Sequence, residues 1–383
     1  MFRRVPITSA VLATIVLAGC SEPVSVSHAP LQADKTKSVE TSAVRANTTV
    51  QWNAIARAQT LTHPMSQQLG VRMFAYLSLA QANAAAAAGD EGSVSAAIAG
   101  ASAVVLASFF PDQVAYFDSQ VDGDAAAVAL GRSIGADVLA RAATDGFTSS
   151  VAGVVIPVCP GCWVSAPGVN PVFPRLSEMR PFFLESASQF RPAPPPAFGS
   201  PEYLVALAEV RHFSDTRTHE QDSLAKFWAK PGGFTVVQSY ANQIASAEIT
   251  KFGLNERKAA RVLAFMNMAA MDAFIGSHDA KYTYWMIRPS QADPGIVLAI
   301  GLPNHPSYPS NHASVTGASM ALLAHFFHRD ADYLNGLAEQ AGISRIYGGI
   351  HYRFDMDAGL TLGRQVARYA LGQGEDEEED LEN

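Results

Sequence analysis

Three features of the sequence predict an all-α protein, a helical bundle interrupted by one long proline-rich loop. Apolar residues recur at helical spacing through most of residues 50–372, and alanine- and leucine-rich stretches there favour helix by intrinsic propensity. No stretch alternates apolar and polar residues as a half-buried strand would. A hydrophobic content of 48% against 16% charged residues provides enough apolar material for a core.

The chain begins with a predicted secretory signal over residues 1–19. Arg3 and Arg4 precede a short apolar stretch that ends in small residues before Cys20. This ending is similar to a bacterial lipobox, in which Cys20 becomes the lipidated first residue. An ordinary signal peptide followed by an incidental cysteine is the alternative.

Residues 20–49 and 373–383 are predicted to flank the helical domain, which we place at residues 50–372. The first segment is polar and aperiodic, as expected of a flexible tether, and the second is expected to be an acidic, disordered tail. Ser21 follows the cysteine, in place of the aspartate that would suggest retention in the inner membrane. The prediction is therefore an exported, periplasmic lipoprotein that is held at the outer membrane by its lipid.

The predicted helices follow the apolar periodicity along the domain. A run of five alanines at residues 84–88 is explained by helix propensity and carries no functional motif. The predicted helices cover residues 52–88, 93–110, 125–143, 201–212, 220–228, 235–250, 255–277, 315–327, 333–341 and 355–371.

Residues 146–200 lack this periodicity and contain repeated prolines. A loop of this length either covers a functional surface or is a linker, and its aromatic residues favour packing against the helices. Within it, Cys159 and Cys162 flank a Pro-Gly turn. The same spacing occurs in redox pairs and in half of a zinc site, but the chain has no second cysteine pair and the export signal indicates an oxidising compartment. A structural disulfide is the favoured interpretation.

The charge balance limits the possible partners. A formal net charge of −8 argues against nucleic acid, because that partner needs a clustered basic face. Much of the excess lies in the acidic run at residues 375–380, so any anion site in the body must be positive locally. No group of Asp, Glu and His residues has the spacing of a zinc or calcium site, and no divalent metal is predicted.

Three short polar segments stand out in the last third of the chain. The first carries Lys281 and Arg288, seven residues apart, which can project from one face if the stretch is helical. Two adjacent cations repel each other, so they imply either an anion between them or simple solvation. The planar guanidinium of Arg288 suits the paired oxygens of a phosphate-like anion.

The second segment, residues 305–314, leads from His305 through two prolines to Ser310, Asn311 and His312. This pattern is typical of a loop that ends at the start of a helix, where unpaired N–H groups form a ready anion site. Ser310 would add a hydroxyl donor and His312 a titratable group. A plain helix-capping sequence is the alternative.

The third segment carries Arg345, a Gly-Gly pair at residues 348–349, His351 and Asp355. His351 and Asp355 are four residues apart, one helical turn, so the carboxylate can hold one imidazole nitrogen and leave the other available. Arg345 adds a third cation, and the glycine pair permits a close backbone approach. A satisfied contact within a helix is the alternative explanation of the His–Asp spacing.

Together, the three segments resemble the signature of the vanadium-dependent haloperoxidase and type-2 phosphatidic acid phosphatase (PAP2) superfamily. The pattern reads Lys-x6-Arg-Pro, then Pro-Ser-x-His, then Ser-Arg-x5-His-x3-Asp. The resemblance is strongest over residues 267–363 and looser upstream, where residues 170–198 and 221–228 are similar to the bacterial haloperoxidase-like branch. It implies the helical bundle of that superfamily and a site for vanadate or phosphate.

The resemblance implies that three cations, Lys281, Arg288 and Arg345, neutralise the oxygens of the bound anion, while Ser310 donates a hydrogen bond to it. This sequence departs from the family at Asn311, where glycine is usual. The backbone N–H of Asn311 is retained and is expected to donate to the anion. Its side chain occupies space that glycine leaves open, which bears on halide access, peroxide access and vanadate affinity.

The resemblance also implies the catalytic residues. His351 would bind vanadium in a haloperoxidase or carry the phosphoryl group in a phosphatase, and Asp355 would orient it. His312 would be the acid–base residue. His305 lies five residues before the family serine, where bromide-using relatives also carry histidine, and it is a halide-adjacent candidate. A loop histidine without a role is the alternative.

Two enzyme activities and one binding function follow as hypotheses. The first is a haloperoxidase with vanadate as its cofactor, which oxidises halide with hydrogen peroxide; the run of residues ending at Asp355 favours it. The second is an exported phosphatase that needs no cofactor and forms a phosphohistidine on the same residues. The third is a lipoprotein that only sequesters an oxyanion or scaffolds an envelope assembly. The expected partners are halide and peroxide or a phosphate ester, and the oligomeric state stays open.

Overall fold

A computed structural model describes residues 47–373 of the chain. The predicted signal segment, Cys20, almost all of the tether and nearly all of the acidic tail lie outside the described residues. The described residues form one compact unit.

The predicted all-α class is confirmed. Within residues 47–373 the chain forms α-helices and short 3-10 turns, and no strand. The helices are α1 (Thr48–Thr62), α2 (Gln67–Ala87), α3 (Glu91–Phe109), α4 (Val114–Ser119), α5 (Ala125–Ala143), α6 (Pro201–Thr216), α7 (His219–Ala229), α8 (Val237–Lys251), α9 (Glu256–Tyr284), α10 (Pro289–Ala292), α11 (Asn311–Phe326), α12 (Ala331–Tyr347) and α13 (Arg353–Gly372).

Helix α9 is the central element of the bundle. It begins after the capping residue Asn255 and packs against α2, α11 and α13. By length and composition, α3 and α9 are the two described helices that could cross a membrane, but 61% and 83% of their apolar windows are buried inside the body. Such burial is what the core helices of a folded bundle show.

The helix predicted over residues 52–88 is wrong in one respect, because the structure divides it into α1 and α2. The break falls at Pro64, whose ring removes an N–H donor and clashes with the preceding turn of a helix. Ser66 then restarts the helix, since its hydroxyl accepts a hydrogen bond from Leu69 N at 3.2 Å. The turn between the two helices is therefore set by Pro64, which the apolar periodicity does not register.

The proline-rich segment at residues 146–200 is packed on the body. The buried carboxylate of Asp272 on α9 accepts hydrogen bonds from the N–H groups of Phe182, Phe183 and Leu184 at 2.7, 2.7 and 3.0 Å. These bonds anchor a stretch that has no helix or sheet of its own to satisfy its backbone.

The cysteine turn in the same segment lies against the chain that leads to Arg288. Cys159 and Cys162 form a disulfide. Next to them, Trp163 N donates to Trp285 O at 2.6 Å and Ile287 N donates to Gly161 O at 2.9 Å. The loop thereby supports the segment between α9 and α10 from outside.

Helices α11 and α13 approach each other closely because glycines line their crossing. A Cβ atom on Gly363 would lie 2.3 Å from Ser314 O, and one on Gly359 would lie 2.7 Å from Ser310 O. At the end of this contact, Ser310 N donates to Asp355 O at 2.9 Å. The crossing therefore brings the start of α11 against the first turn of α13.

Candidate active site

The His351–Asp355 pair forms as the spacing predicts, although the two residues do not share a helix. His351 lies in the loop before α13, while Asp355 lies in the first turn of α13. His351 Nδ1 is 2.8 Å from Asp355 Oδ2, and both side chains are buried. Because the carboxylate can only accept from this nitrogen, Nδ1 carries the proton and Nε2 keeps its lone pair.

Ser307 holds the same carboxylate and was missed by the sequence analysis. Its hydroxyl donates to Asp355 Oδ2 at 2.5 Å, and Tyr352 N donates to that oxygen at 3.1 Å. The other oxygen, Oδ1, is buried without a partner among the described residues. Burial raises the pKa of Asp355 to about 6, while the bond from Ser307 acts in the opposite direction.

Arg288 links the two histidine segments. Its guanidinium is fully buried, and Nη1 donates to His351 Nε2 at 3.1 Å and to Ile350 O at 2.7 Å. On its other side, Nη2 lies 3.0 Å from His305 Nδ1. Burial lowers the pKa of Arg288 to about 10, which leaves it cationic at neutral pH.

Lys281 lies in the same cluster as Arg288, but the local structure that brings them together differs from the sequence prediction. The stretch from Lys281 to Arg288 is not one helix: α9 ends at Tyr284, and Trp285 takes a left-handed conformation with φ of 51°. The two cations converge because the chain reverses there, not because they share a helix face.

The ammonium group of Lys281 is committed to the backbone of the loop before α11. Its Nζ donates to the carbonyl oxygens of Pro306, Ser307 and Pro309 at 2.8, 2.8 and 2.5 Å. These bonds use all three ammonium protons. Burial, and then the neighbouring charge of Arg288, lower the pKa of Lys281 well below its ordinary value.

Arg345 and His312 form the other side of the cluster. Arg345 Nη1 lies 3.5 Å from His312 Nε2, and Arg345 Nη2 donates to Ala225 O at 2.8 Å. His312 Nε2 is 3.1 Å from Trp228 O, so the imidazole donates to that carbonyl. Both acceptors belong to the backbone of α7. Backbone carbonyls leave no trace in the residue pattern, so the hydrogen bonds from Arg345 and His312 to α7 were not predicted.

The start of α11 presents unpaired donors to this cluster. Ser310 caps the helix, with its hydroxyl 3.4 Å from Ala313 N. Within the described residues, the N–H groups of Asn311 and His312 have no acceptor. Unpaired N–H groups at a helix start attract anions through their partial positive charge. The side chain of Asn311 turns toward α9, where Ser277 Oγ donates to Asn311 Oδ1 at 2.6 Å.

His305 is buried, 6% exposed, and lies beside a second buried histidine, His278 on α9. The centres of the two rings are 6.0 Å apart. Burial lowers the pKa of His278 to about 3 and that of His305 well below its ordinary value. Both rings are therefore neutral at physiological pH.

The electrostatics of the cluster favour a bound anion. Lys281, Arg288 and Arg345 are 0–2% exposed, and within residues 47–373 none of them forms an ion pair with a carboxylate. For Arg345, burial alone lowers the pKa to about 9. Uncompensated buried charge is costly, and an oxyanion among these groups would offset that cost. The donor set of guanidinium, hydroxyl and helix N–H groups, with the charge of Lys281 in the same cluster, fits a tetrahedral or trigonal-bipyramidal oxyanion.

Comparison with known proteins agrees with this chemistry. Residues 261–377 match the family model of the PAP2 superfamily. Vanadium-dependent bromoperoxidases of Corallina pilulifera and Corallina officinalis are 35% and 33% identical to the chain over 106 residues. Each match covers 20% of this chain and 18% of the relative, so the chain spans less than a fifth of the length of the curated relatives it matches. The resemblance to this superfamily, predicted from the three segments, is confirmed.

Solved structures share the fold over most of the chain. A bacterial vanadium-dependent iodoperoxidase aligns with a TM-score of 0.71 at 21% identity, over 87% of this chain and 97% of its own. An apo-type bacterial vanadium-dependent chloroperoxidase aligns with a TM-score of 0.68 at 14% identity, over 83% and 95% of the two chains. At these identities the likeness shows a common fold.

Proposed function

We propose that this chain is a vanadium-dependent haloperoxidase, which oxidises a halide ion with hydrogen peroxide. One observation carries the proposal: His351 Nε2 accepts from Arg288, one of three buried cations of this cluster that form no ion pair within residues 47–373, while His351 Nδ1 is held by Asp355. The fold likeness to iodoperoxidase and chloroperoxidase structures supports this activity over the phosphatase alternative.

Vanadate would be held by residues from all three sequence segments. His351 Nε2 would bind the vanadium, and the remaining guanidinium protons of Arg288 and Arg345 would bind its oxygens. The N–H groups of Asn311 and His312 at the start of α11 would add neutral donors. When bound, vanadate supplies the centre at which peroxide is activated toward halide.

Lys281 would contribute by charge and by position. Because its three protons are donated to carbonyls of residues 306–309, it holds the loop that carries Ser307 and ends at Ser310. Its positive charge remains within the cluster, where it lowers the pKa of His312.

His312 would be the acid–base residue that transfers a proton during the reaction. Its side chain is partly exposed, whereas Arg345, which it contacts, and the two other catalytic candidates, His351 and Asp355, are buried. Burial, and then the charge of Arg345, lower the pKa of His312 well below its ordinary value, so the ring is neutral and ready to accept a proton. His305, in contact with Arg288, is the proposed halide-side residue.

Paired assays on the purified protein test the proposal. Halide oxidation is measured with hydrogen peroxide and added vanadate, separately for chloride, bromide and iodide. Hydrolysis of p-nitrophenyl phosphate is measured without vanadate. We expect oxidation of at least one halide that depends on vanadate and is lost in His351→Ala. Phosphate-ester hydrolysis that vanadate blocks, with no halide oxidised, would instead establish the phosphatase with its phosphohistidine intermediate.

We also propose that the enzyme is exported and attached to the outer membrane by a lipid on Cys20, on the strength of residues 1–20 alone. The full chain and Cys20→Ala are expressed in a bacterium and fractionated. We expect the full chain in the outer-membrane fraction and Cys20→Ala in the soluble periplasm or retained as an unprocessed precursor. Identical distribution of the two, with neither carrying lipid, would contradict this proposal.

A further inference from the structure

Asn311 is the one position in the three segments where this chain departs from the family pattern, and the structure gives its side chain a definite partner. The carboxamide of Asn311 points away from the N–H groups at the start of α11. Instead, its Oδ1 accepts a hydrogen bond of 2.6 Å from the hydroxyl of Ser277, which is fully buried on α9. The same hydroxyl lies 3.1 Å from Phe274 O, a longer contact within its own helix.

This hydrogen bond matters because of where Ser277 lies on α9. Ser277 and Lys281 are one turn apart on α9, and they contact the same incoming segment at two points. Lys281 binds the carbonyls of Pro306, Ser307 and Pro309, and Ser277 binds the side chain of Asn311, two residues further on. A glycine at position 311 would offer only the first of these attachments.

We propose that Asn311, held by Ser277, is a positioning residue of the oxyanion site. The pair fixes the first turn of α11 to α9 and so sets the unpaired N–H groups of Asn311 and His312 at a defined distance from Lys281. The proposal rests on the proposed function only in requiring that the site binds vanadate or phosphate. It gives a positioning role to a side chain that was expected only to occupy space that glycine leaves open.

A double-mutant cycle tests the coupling between the two side chains. The full chain, Ser277→Ala, Asn311→Ala and the double variant are titrated with vanadate and, separately, with inorganic phosphate by calorimetry. We expect each single variant to weaken anion affinity by about tenfold, the loss of roughly one hydrogen bond, and the double variant to be no weaker than either single one. Ser277→Cys, close in volume and a poor donor, serves as a second variant if Ser277→Ala folds badly.

A matched control separates positioning from general stability. Ser102 is a buried serine whose hydroxyl accepts a hydrogen bond of 3.0 Å from Gln81 Nε2, between α2 and α3 and away from the site. Ser102→Ala is expected to lower the melting temperature without changing anion affinity. Additive losses in the cycle, unchanged affinity, or tighter anion binding in Asn311→Ala would overturn the proposal. Anion binding without halide oxidation in the unmodified chain would instead contradict the haloperoxidase function and leave the cycle readable.

Discussion

His351 has one arrangement of its imidazole proton that satisfies both of its neighbours. Arg288 can only donate to Nε2, and the Asp355 carboxylate can only accept from Nδ1, so Nδ1 carries the proton and the lone pair of Nε2 faces Arg288. The His-x3-Asp spacing predicted the contact with Asp355. It did not predict the approach of Arg288, which depends on a chain reversal after α9.

The division between binding and proton transfer predicts a specific outcome for His312→Ala. The variant keeps the three cations and His351, so vanadate affinity should stay within about threefold of the unmodified chain. The turnover number for halide oxidation should fall by about 10²–10⁴-fold, the usual contribution of general acid–base catalysis. Steady-state kinetics and vanadate titration measure the two quantities. A variant that loses vanadate binding and turnover together would show that His312 is primarily a binding residue.

Ser307 provides a second prediction at this scale. Ser307→Ala removes the hydroxyl that donates to Asp355 Oδ2 at 2.5 Å and leaves that carboxylate with fewer donors in a buried site. Vanadate affinity should fall by about tenfold, since His351 is then held less firmly. Ser314→Ala is the matched control, because within residues 47–373 the hydroxyl of this buried serine donates only to the helix carbonyl of Ser310. Equal effects of the two substitutions would argue against a role for Ser307.

Most of the site residues predicted from the sequence have side chains that carry charge or titrate. Lys281, Arg288, Arg345 and His312 are brought together in the structure, but several of their partners are backbone carbonyls. A carbonyl is present at every position of the chain, so no residue type marks the ones that matter. Ser277 and Ser307 were missed for a related reason: serine is common, and neither lies at a motif position.

At the scale of helices, the crossing of α11 and α13 sets the geometry of the site. Gly363→Ala places a Cβ atom 2.3 Å from Ser314 O, against backbone that cannot move aside independently. We expect a loss of about 1–3 kcal/mol in the free energy of unfolding and weaker vanadate binding, because the start of α11 must shift from Asp355. Chemical denaturation and vanadate titration measure both effects.

Gly336→Ala is the control for this substitution. Gly336 lies within α12, and a Cβ atom there would meet nothing within 4 Å. The alanine should stabilise the helix by about 0.5–1 kcal/mol, because glycine loses more backbone freedom on folding. A Gly363→Ala variant as stable as Gly336→Ala would contradict the close packing described for α11 and α13.

Helix boundaries were harder to predict than helix existence. Helix α9 extends beyond residue 277, where the predicted helix ended. The polar residues of its last turns interrupt the apolar periodicity because they face the buried site and not solvent. Lys281 is a polar residue on a buried helix face, which periodicity interprets as the end of the pattern. The functional residues therefore weakened the apolar periodicity in the last turns of α9, where they are concentrated.

At the scale of the whole molecule, buried titratable groups predict how stability depends on pH. Burial lowers the pKa of four histidines and raises the pKa of Asp272 and Asp355 to about 6. Below pH 6.5 the unfolded chain gains protons on four histidines that the folded chain excludes. Over the same pH range, the folded chain gains protons on only two of these six groups, the carboxyl groups of Asp272 and Asp355. The unfolded state therefore binds more protons, and stability falls with decreasing pH.

The melting temperature of the anion-free protein should accordingly drop between pH 7 and pH 5.5. Each net proton contributes about 1.4 kcal/mol per pH unit once the histidines titrate in the unfolded chain. Differential scanning calorimetry without vanadate or phosphate measures the effect. A melting temperature that is constant or rises toward pH 5.5 would show that the histidines are not held neutral.

The all-α class and the residues of the cation and histidine cluster were both accessible from sequence, while the arrangement of the helices was not. Elements separated by more than 100 residues, such as α7 and α12, meet at Arg345 through contacts that no local pattern encodes. The proline-rich segment likewise gave no sign that Asp272 of α9 would anchor its backbone.

Titration of the oxyanion-free protein with vanadate, while halide oxidation by hydrogen peroxide is followed, tests the central claim most directly. The arrangement around His351 predicts that activity rises with added vanadate and reaches a plateau once the vanadate concentration equals that of the protein. His351→Ala should stay inactive throughout the same titration. No halide oxidation at saturating vanadate in the unmodified chain, or equal activity in His351→Ala, would contradict it.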